Sequence, residues 1–512
     1  MGRGKQTGFL AGLPLGLLVW GVFSLAMWLP AIHALVRNRH AVSRAFFYTG
    51  LTGVIFVALI GLTLYGRKSR RGVPGQLLVV LATFAVLPLF LALPLAVAVP
   101  GSSYLDAYFE MVSSVTTTGA SIYPEPWRID ASVHLWRAEV GWLGGLVMWI
   151  AASAILAPMS LGGFEVTARG QPGRAASVAG SMQMSKADPV QRLLRVALTL
   201  TPVYAGLTTI AWVLLRIAGE EPLTAIMHAM SVMATSGISP VGGMPGSTAG
   251  MTGEAIIFLF MFFALSRLTF SGDTGTTGFD RLDRDPEFRV GLVLVIGTTL
   301  LLFSRHWIAS IDVATQENSG QALRALWGSV FTVMSFLTTT GFESADWEQA
   351  RFWSGLGTPG IILMGLALVG GGVATTAGGV KLLRVYALYL NGLREMEKLV
   401  HPSSVGGGGA GSRRIRRDGA FLAWVFFMLF ALSLALVTMA LTAFGATFEQ
   451  AILMAIATLS TTGPLIQVAA ETPIELAAFG AGAKAVLIAA MVLGRAETLA
   501  IIALLAPGLW RD

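Results

Sequence analysis

Ten stretches of this chain are apolar enough and long enough to cross a bilayer, at roughly 10–36, 44–66, 77–99, 132–160, 193–218, 252–270, 289–311, 356–390, 420–445 and 477–507. A spanning helix needs about 20 apolar residues, because the hydrocarbon core is about 30 Å thick. Within that core the chain has to satisfy its own backbone N–H and C=O groups, so these stretches are predicted to be helices. Four shorter apolar segments, near 103–118, 222–236, 322–340 and 447–462, suit buried or re-entrant helices instead. The expected fold class is an all-α integral membrane protein.

Charge supports that reading. Only 12% of residues are charged and 54% are hydrophobic, whereas soluble domains carry about 25% charged residues. A soluble enzyme, a disordered chain and a nucleic-acid-binding module fit poorly. The net charge of +7 reads as membrane orientation rather than as a nucleic-acid partner. With both termini inside, Arg3, Lys5, Arg67, Lys68, Arg70, Arg71, Arg169, Arg174, Arg281, Arg284, Arg413, Arg414, Arg416 and Arg417 share the inner face, as the excess of basic residues in cytoplasmic loops requires. Arg37, Arg39 and Arg44 are the misfit, falling in an outer loop. The first stretch is too long for a removable signal peptide and lacks a small-residue cleavage site before Arg37. The absence of cysteine excludes disulfides, thiolate metal sites and cysteine catalysis.

The four short segments end alike: Thr116-Thr117-Thr118-Gly119, Ala234-Thr235-Ser236-Gly237, Thr338-Thr339-Thr340-Gly341 and Ser460-Thr461-Thr462-Gly463. The glycines recur about every 100–120 residues, and each copy lies between two spans. The implied unit is helix, short re-entrant helix, hydroxyl-rich loop, helix. Four such units predict pseudo-symmetry around one axis. Small-residue packing between helices is the competing explanation, but it does not require each copy to follow a half-length helix. Irregular backbone at membrane depth has to be buried in protein or line a watery cavity. Four such loops turn carbonyl oxygens inward, the chemistry that replaces the hydration shell of a potassium ion. Helix C-termini aimed at the loops favour a cation.

These features resemble the Trk/Ktr/HKT superfamily of potassium transporters, and within it the bacterial TrkH branch. The residues that carry the resemblance are Asp106-Ala107-Tyr108-Phe109-Glu110 leading into the first loop, the three later loops, Arg284-Asp285-Pro286-Glu287-Phe288-Arg289, Gly370-Gly371-Gly372 continuing to Gly378-Gly379-Val380-Lys381, Gly494-Arg495-Ala496-Glu497, and Pro507-Gly508-Leu509-Trp510-Arg511. The resemblance implies that Thr117, Thr118, Thr235, Ser236, Thr339, Thr340, Thr461 and Thr462 coordinate potassium, mainly through main-chain oxygens. Gly119, Gly237, Gly341 and Gly463 would be the filter glycines. Glycine at 119 matches the potassium-selective pattern; serine there goes with sodium selectivity in the HKT branch. The resemblance also implies a homodimer and a cytoplasmic TrkA-type nucleotide-binding subunit, with no nucleotide bound by this chain. The stretch 271–278 and the glycine-rich segment 405–412 depart from the family pattern. The resulting division is two leading transmembrane helices (1–70), a first pore unit (71–165), a second (186–275), a third with an intramembrane glycine-rich gate (286–395), a cytoplasmic linker (396–415) and a fourth unit (416–512).

Below the loops, Gly370, Gly371, Gly372, Thr375, Thr376, Gly378 and Gly379 interrupt the second helix of the third unit. Each interior glycine costs about 1 kcal/mol relative to alanine. A pore-blocking intramembrane loop and close helix packing both account for this run. Lys381 would steady that loop or mark the inner interface. Arg495, inside the last span, would be a cationic barrier, or would snorkel or pair with a carboxylate. Arg413, Arg414, Arg416 and Arg417 would attract anionic lipid or dock a soluble subunit. Asp106, Glu110, Glu125, Asp130, Glu343, Asp346 and Glu348 would make the outer mouth acidic. Gly406 to Ser412 lacks the Gly-Lys-Ser/Thr ending of a nucleotide loop, and the six histidines make no helical metal pair. The expected function is potassium uptake across the cytoplasmic membrane through four loops, restrained by the glycine loop and Arg495 and controlled by a cytoplasmic subunit. A cation-coupled secondary transporter, a sodium- or proton-coupled potassium symporter, is the alternative. A multi-span enzyme would need convergent catalytic groups, and none stands out.

Overall fold

A computed structural model describes residues 14–64, 73–123, 125–157, 163–164, 189–266, 282–309, 319–401 and 417–497. Every regular element among them is helical. The inner-face basic residues at 3, 5, 67, 68, 70, 71, 169, 174, 281, 413, 414 and 416, the stretch 271–278, the segment 405–412 and the ending 507–511 lie outside the described residues.

The leading helices are α1 (Leu15–Ala26), α2 (Trp28–Val36) and α3 (His40–Leu64). Helices α1 and α2 form one span of 22 residues, interrupted at Met27. The first unit begins with α4 (Val73–Ala85), α5 (Leu87–Leu91) and α6 (Leu93–Ala98), one span broken before Pro88 and Pro94. Each proline removes a backbone donor and crowds the preceding turn. The half-helix α7 (Tyr104–Val115) follows, then α8 (Ala131–Ala151). The second unit has α9 (Pro189–Ile217), half-helix α10 (Pro222–Ala234) and α11 (Gly250–Leu265).

The third unit has α12 (Pro286–Ala309), α13 (Ser319–Leu337), the short α14 (Trp347–Ser354), α15 (Gly360–Val369) and α16 (Leu382–Val400). Its half-helix is longer than the others, 19 residues against 12 or 13. Helix α16 runs on to Val400, into the stretch read as linker. The fourth unit has α17 (Arg417–Ala443), half-helix α18 (Phe448–Leu459), a turn of helix α19 (Leu465–Val468) and α20 (Ala481–Ala496).

Local chemistry starts the half-helices where they start. Ser103 and Asp106 form a capping box at α7, and Thr447 and Gln450 form one at α18. Each box satisfies two of the otherwise unpaired N–H groups of a first turn. Pro222 opens α10 at a position where its missing N–H costs nothing.

The units close into a ring. The second helix of each packs against the half-helix of the next: α8 on α10, α11 on α13, α15 on α18, and α20 back on α7. Burial follows this order. The span containing α8 is 78% buried, whereas those of α3, α9, α12 and α17 are 22–28% buried. The leading helix α3 and the first helices of the second, third and fourth units therefore form an outer belt carrying exposed Leu300, Leu301, Phe421, Leu432 and Met439, which is surface that only lipid solvates favourably. Gly144 of α8 and Gly494 of α20 let the second helices touch the ends of their own half-helices. A side chain there would meet the carbonyls of Val115 and Leu459 at 2.0 and 2.3 Å.

Candidate ion pathway

The four hydroxyl-rich loops share one backbone form. Thr117, Thr235, Thr339 and Thr461 have φ of 56°, 52°, 57° and 54°. A β-branched residue in this left-handed region is an outlier, and such strain costs about 1–3 kcal/mol. The same conformation at four equivalent places is therefore imposed by the structure. One bond in each loop helps to impose it. The next residue's N–H reaches back five positions: Thr118 to Ser113 O at 2.8 Å, Ser236 to Ser231 O at 3.0 Å, Thr340 to Ser335 O at 2.9 Å and Thr462 to Ala457 O at 2.8 Å.

Adjacent loops touch all the way round. A Cβ at Gly119 would lie 1.8 Å from Ser236 O, one at Gly237 2.5 Å from Thr340 O, one at Gly341 2.9 Å from Pro464, and one at Gly463 2.1 Å from Ala120 N. The order is first to second, second to third, third to fourth, and fourth to first. All eight hydroxyl residues expected from the sequence are 0–1% exposed. The hydroxyls of Thr117 and Thr461 are buried without a hydrogen-bond partner. Those of Thr118 and Thr340 pair with Thr116 and Thr338 at 2.8 and 3.0 Å.

Directly behind the ring lies the break between α15 and α16. It is a loop rather than tightly packed continuous helix: Gly370 has φ of 73° and Gly379 of 76°. Its tip meets the ring, since Gly378 N–H donates to Thr339 Oγ1 at 2.7 Å. A side chain at Gly378 would lie 2.1 Å from Ser460 O. Its flanks are tied to three other elements. Gly372 N–H donates to Ala264 O at 2.8 Å, Thr376 Oγ1 to Met233 O at 2.9 Å, and Val373 N–H to Glu287 Oε1 at 2.8 Å. Thr375 Oγ1 donates to Gly372 O at 2.8 Å, bracing the turn from within.

Arg495 and Lys381 both hold this loop. Arg495 is 3% exposed and donates through Nη1 to Thr376 O at 2.6 Å. Its Nε and Nη2 have no hydrogen-bond partner, and among the described residues it pairs with no carboxylate. Glu497 instead takes Arg384 at 2.8 Å, and the guanidinium of Arg384 sits 3.6 Å from the Phe426 ring centroid. That pair fastens the start of α16 to the end of α20. The Lys381 ammonium donates to Ala377 O and is buried, which ties it to the loop.

Two of the expected mouth carboxylates are held in ion pairs. Glu110 is fully buried and 2.8 Å from Arg137, and Asp106 is 2.7 Å from Lys484. A buried carboxylate requires such a partner, because unpaired burial of charge is far more costly than pairing. Sequence reading also left Glu254, Glu287 and Arg384 without a role. Glu254 of α11 accepts from Ala345 N at 2.6 Å and from Ser344 Oγ and Trp327 Nε1 at 2.7 Å, tying the second unit to the third. Glu287 stood inside a quoted motif, but its partner lies 86 residues away.

A model of the TrkH family, described as a cation transport protein, matches residues 43–509. The chain is 32% identical over 509 residues to the Trk system potassium uptake protein TrkH of Salmonella typhimurium, covering 97% of this chain and 98% of that one. It is 30% identical to the protein of the same description from Escherichia coli K12, with the same coverage. Among solved structures, the crystal structure of the potassium transporter TrkH from Vibrio parahaemolyticus matches with a TM-score of 0.79 and 26% identity, covering 99% of this chain and 100% of that one. Full-length similarity and the ring of four loops agree: the chain is a multi-pass membrane protein of the TrkH family of cation transport proteins.

Proposed function

We propose that this chain takes up potassium across the cytoplasmic membrane through the ring of four loops. The observation that carries the reading is the ring itself: four left-handed threonines at equivalent positions, each loop against the next. Backbone oxygens in such a ring replace the hydration shell of potassium, and the partnerless hydroxyls of Thr117 and Thr461 add ligands for it. The C-termini of α7, α10, α13 and α18 direct the negative ends of their dipoles at the same place.

The glycine loop and Arg495 restrain the ion behind the ring. Gly378 bonds to a ring threonine, and Arg495 adds a fixed positive charge beneath it. The relatives are described as parts of a Trk system, which fits control by a partner subunit; as the family resemblance implies, the chain works as a homodimer with a cytoplasmic TrkA-type nucleotide-binding subunit that controls the loop. A left-handed threonine at the same place in all four loops argues against a rocking, inverted-repeat symporter.

The test is potassium against sodium uptake by the reconstituted full-length protein. Wild type takes up potassium in preference to sodium. Gly119→Ser, placing a side chain against Ser236 O, reduces that preference. Unchanged selectivity in folded Gly119→Ser protein rejects the loop ring as the selecting element.

A further inference from the structure

We infer that the side chain nine residues before each loop glycine is a positioning residue, which holds the first three loops rigid and leaves the fourth adjustable. This inference rests on the proposed reading of the ring. The four equivalent residues are Glu110, His228, Thr332 and Met454, and all are buried.

The first three reach forward across the loop to the chain just beyond the glycine. Glu110 Oε1 accepts from Ile122 N–H at 2.6 Å and from Ser121 Oγ at 2.8 Å, and Arg137 holds its other oxygen. His228 Nε2 and Ser239 Oγ are 2.9 Å apart. Thr332 Oγ1 accepts from Ser344 N–H at 3.2 Å. Each bond joins the half-helix to the outgoing strand of its own loop and fixes the loop's span. Met454 offers only a thioether, a weak acceptor on a flexible chain.

The fourth loop differs where this missing brace would act. Gly119, Gly237 and Gly341 have φ of 75°, 62° and 82°, but Gly463 is not in the left-handed region. The N–H groups of Gly119 and Gly341 bond within their own loops, at 3.2 and 3.3 Å. That of Gly463 leaves its loop and donates to Thr118 O at 2.6 Å. It thereby occupies a carbonyl of the first loop. Pro464 also reaches over its neighbours: side chains at Gly237 and Gly341 would lie 2.7 and 2.9 Å from its ring. Freeing the Thr118 carbonyl for an ion therefore requires the fourth loop to withdraw, and it alone lacks a hydrogen-bonding side chain at this position to resist.

The experiment measures the potassium-to-sodium permeability ratio of reconstituted full-length protein. Thr332→Val keeps the volume and removes the acceptor; His228→Asn shortens the reach to Ser239. Each is expected to lower the ratio by roughly threefold to tenfold, the worth of one buried hydrogen bond. Thr332→Ser restores it, and Met454→Leu leaves it within about twofold because no bond is lost. If Thr332→Val and His228→Asn keep the wild-type ratio, or Met454→Leu lowers it as much as they do, the inference is overturned. Gly119→Ser in the same assay separates the two failures. Should it change selectivity while the braces do not, only the positioning role falls; should it change nothing, the reading of the ring falls first.

Discussion

The threonine ring and the glycine loop behind it are within hydrogen-bond distance of each other, through Gly378 N–H and Thr339 Oγ1, yet they are held differently. The ring is made four times and is fixed largely by backbone bonds that recur at equivalent positions. The loop is made once and, beside backbone bonds such as Gly372 N–H to Ala264 O, is fixed by single side-chain bonds: Glu287 of its own unit, Arg495 of the fourth, and its own Thr376 and Lys381. Repeated backbone bonds resist change together, which suits the selecting role proposed for the ring. A few side-chain bonds are lost one at a time, which suits an element that has to move.

The comparison breaks if the two regions respond alike to substitution. The largest effect is expected at Gly341, where φ is 82° and a side chain would lie 2.9 Å from Pro464. Gly341→Ala lowers potassium uptake by about tenfold or more, the cost of a strained, crowded backbone; wild-type uptake would mean that the ring tolerates rearrangement. Next is Arg495→Ala. Removing a unit charge beneath the ring raises flux by about tenfold, the effect of a charge about 12 Å from the ion at an effective dielectric constant near 20. Unchanged or lower flux in folded protein would make this arginine purely structural. The smallest is Lys381→Met, which loses one bond to Ala377 and raises flux by about twofold to threefold. Uptake that falls instead would place Lys381 with the ring's scaffold rather than with the restraint.

Much of the architecture was legible in the chain. Span length and the Thr-Gly copies are local signals, and each half-helix lies within a few residues of where its apolar run ends. The interruption after Val369 follows from glycines at 370–372 that cannot sustain a helix. The braces were harder to see. Glu110, His228 and Thr332 are three different residue types at one repeat position, so composition did not mark them, although counting back from each glycine would have. The ion pairs of Asp106 and Glu110 were invisible because nothing nearby in sequence announces Lys484 or Arg137. The bond from Gly463 to Thr118 spans more than three hundred residues and exists only once the ring has closed.

Hydrophobic length and a four-times-repeated loop thus decided that this chain spans a bilayer and surrounds one axis, since bilayer thickness and backbone satisfaction act on local segments. Tertiary structure alone decided which buried charges are partners, which face of the glycine loop meets the ring, and that the fourth loop departs from the other three. Those outcomes depend on groups distant in sequence that meet only after the second helix of each unit has packed against the half-helix of the next.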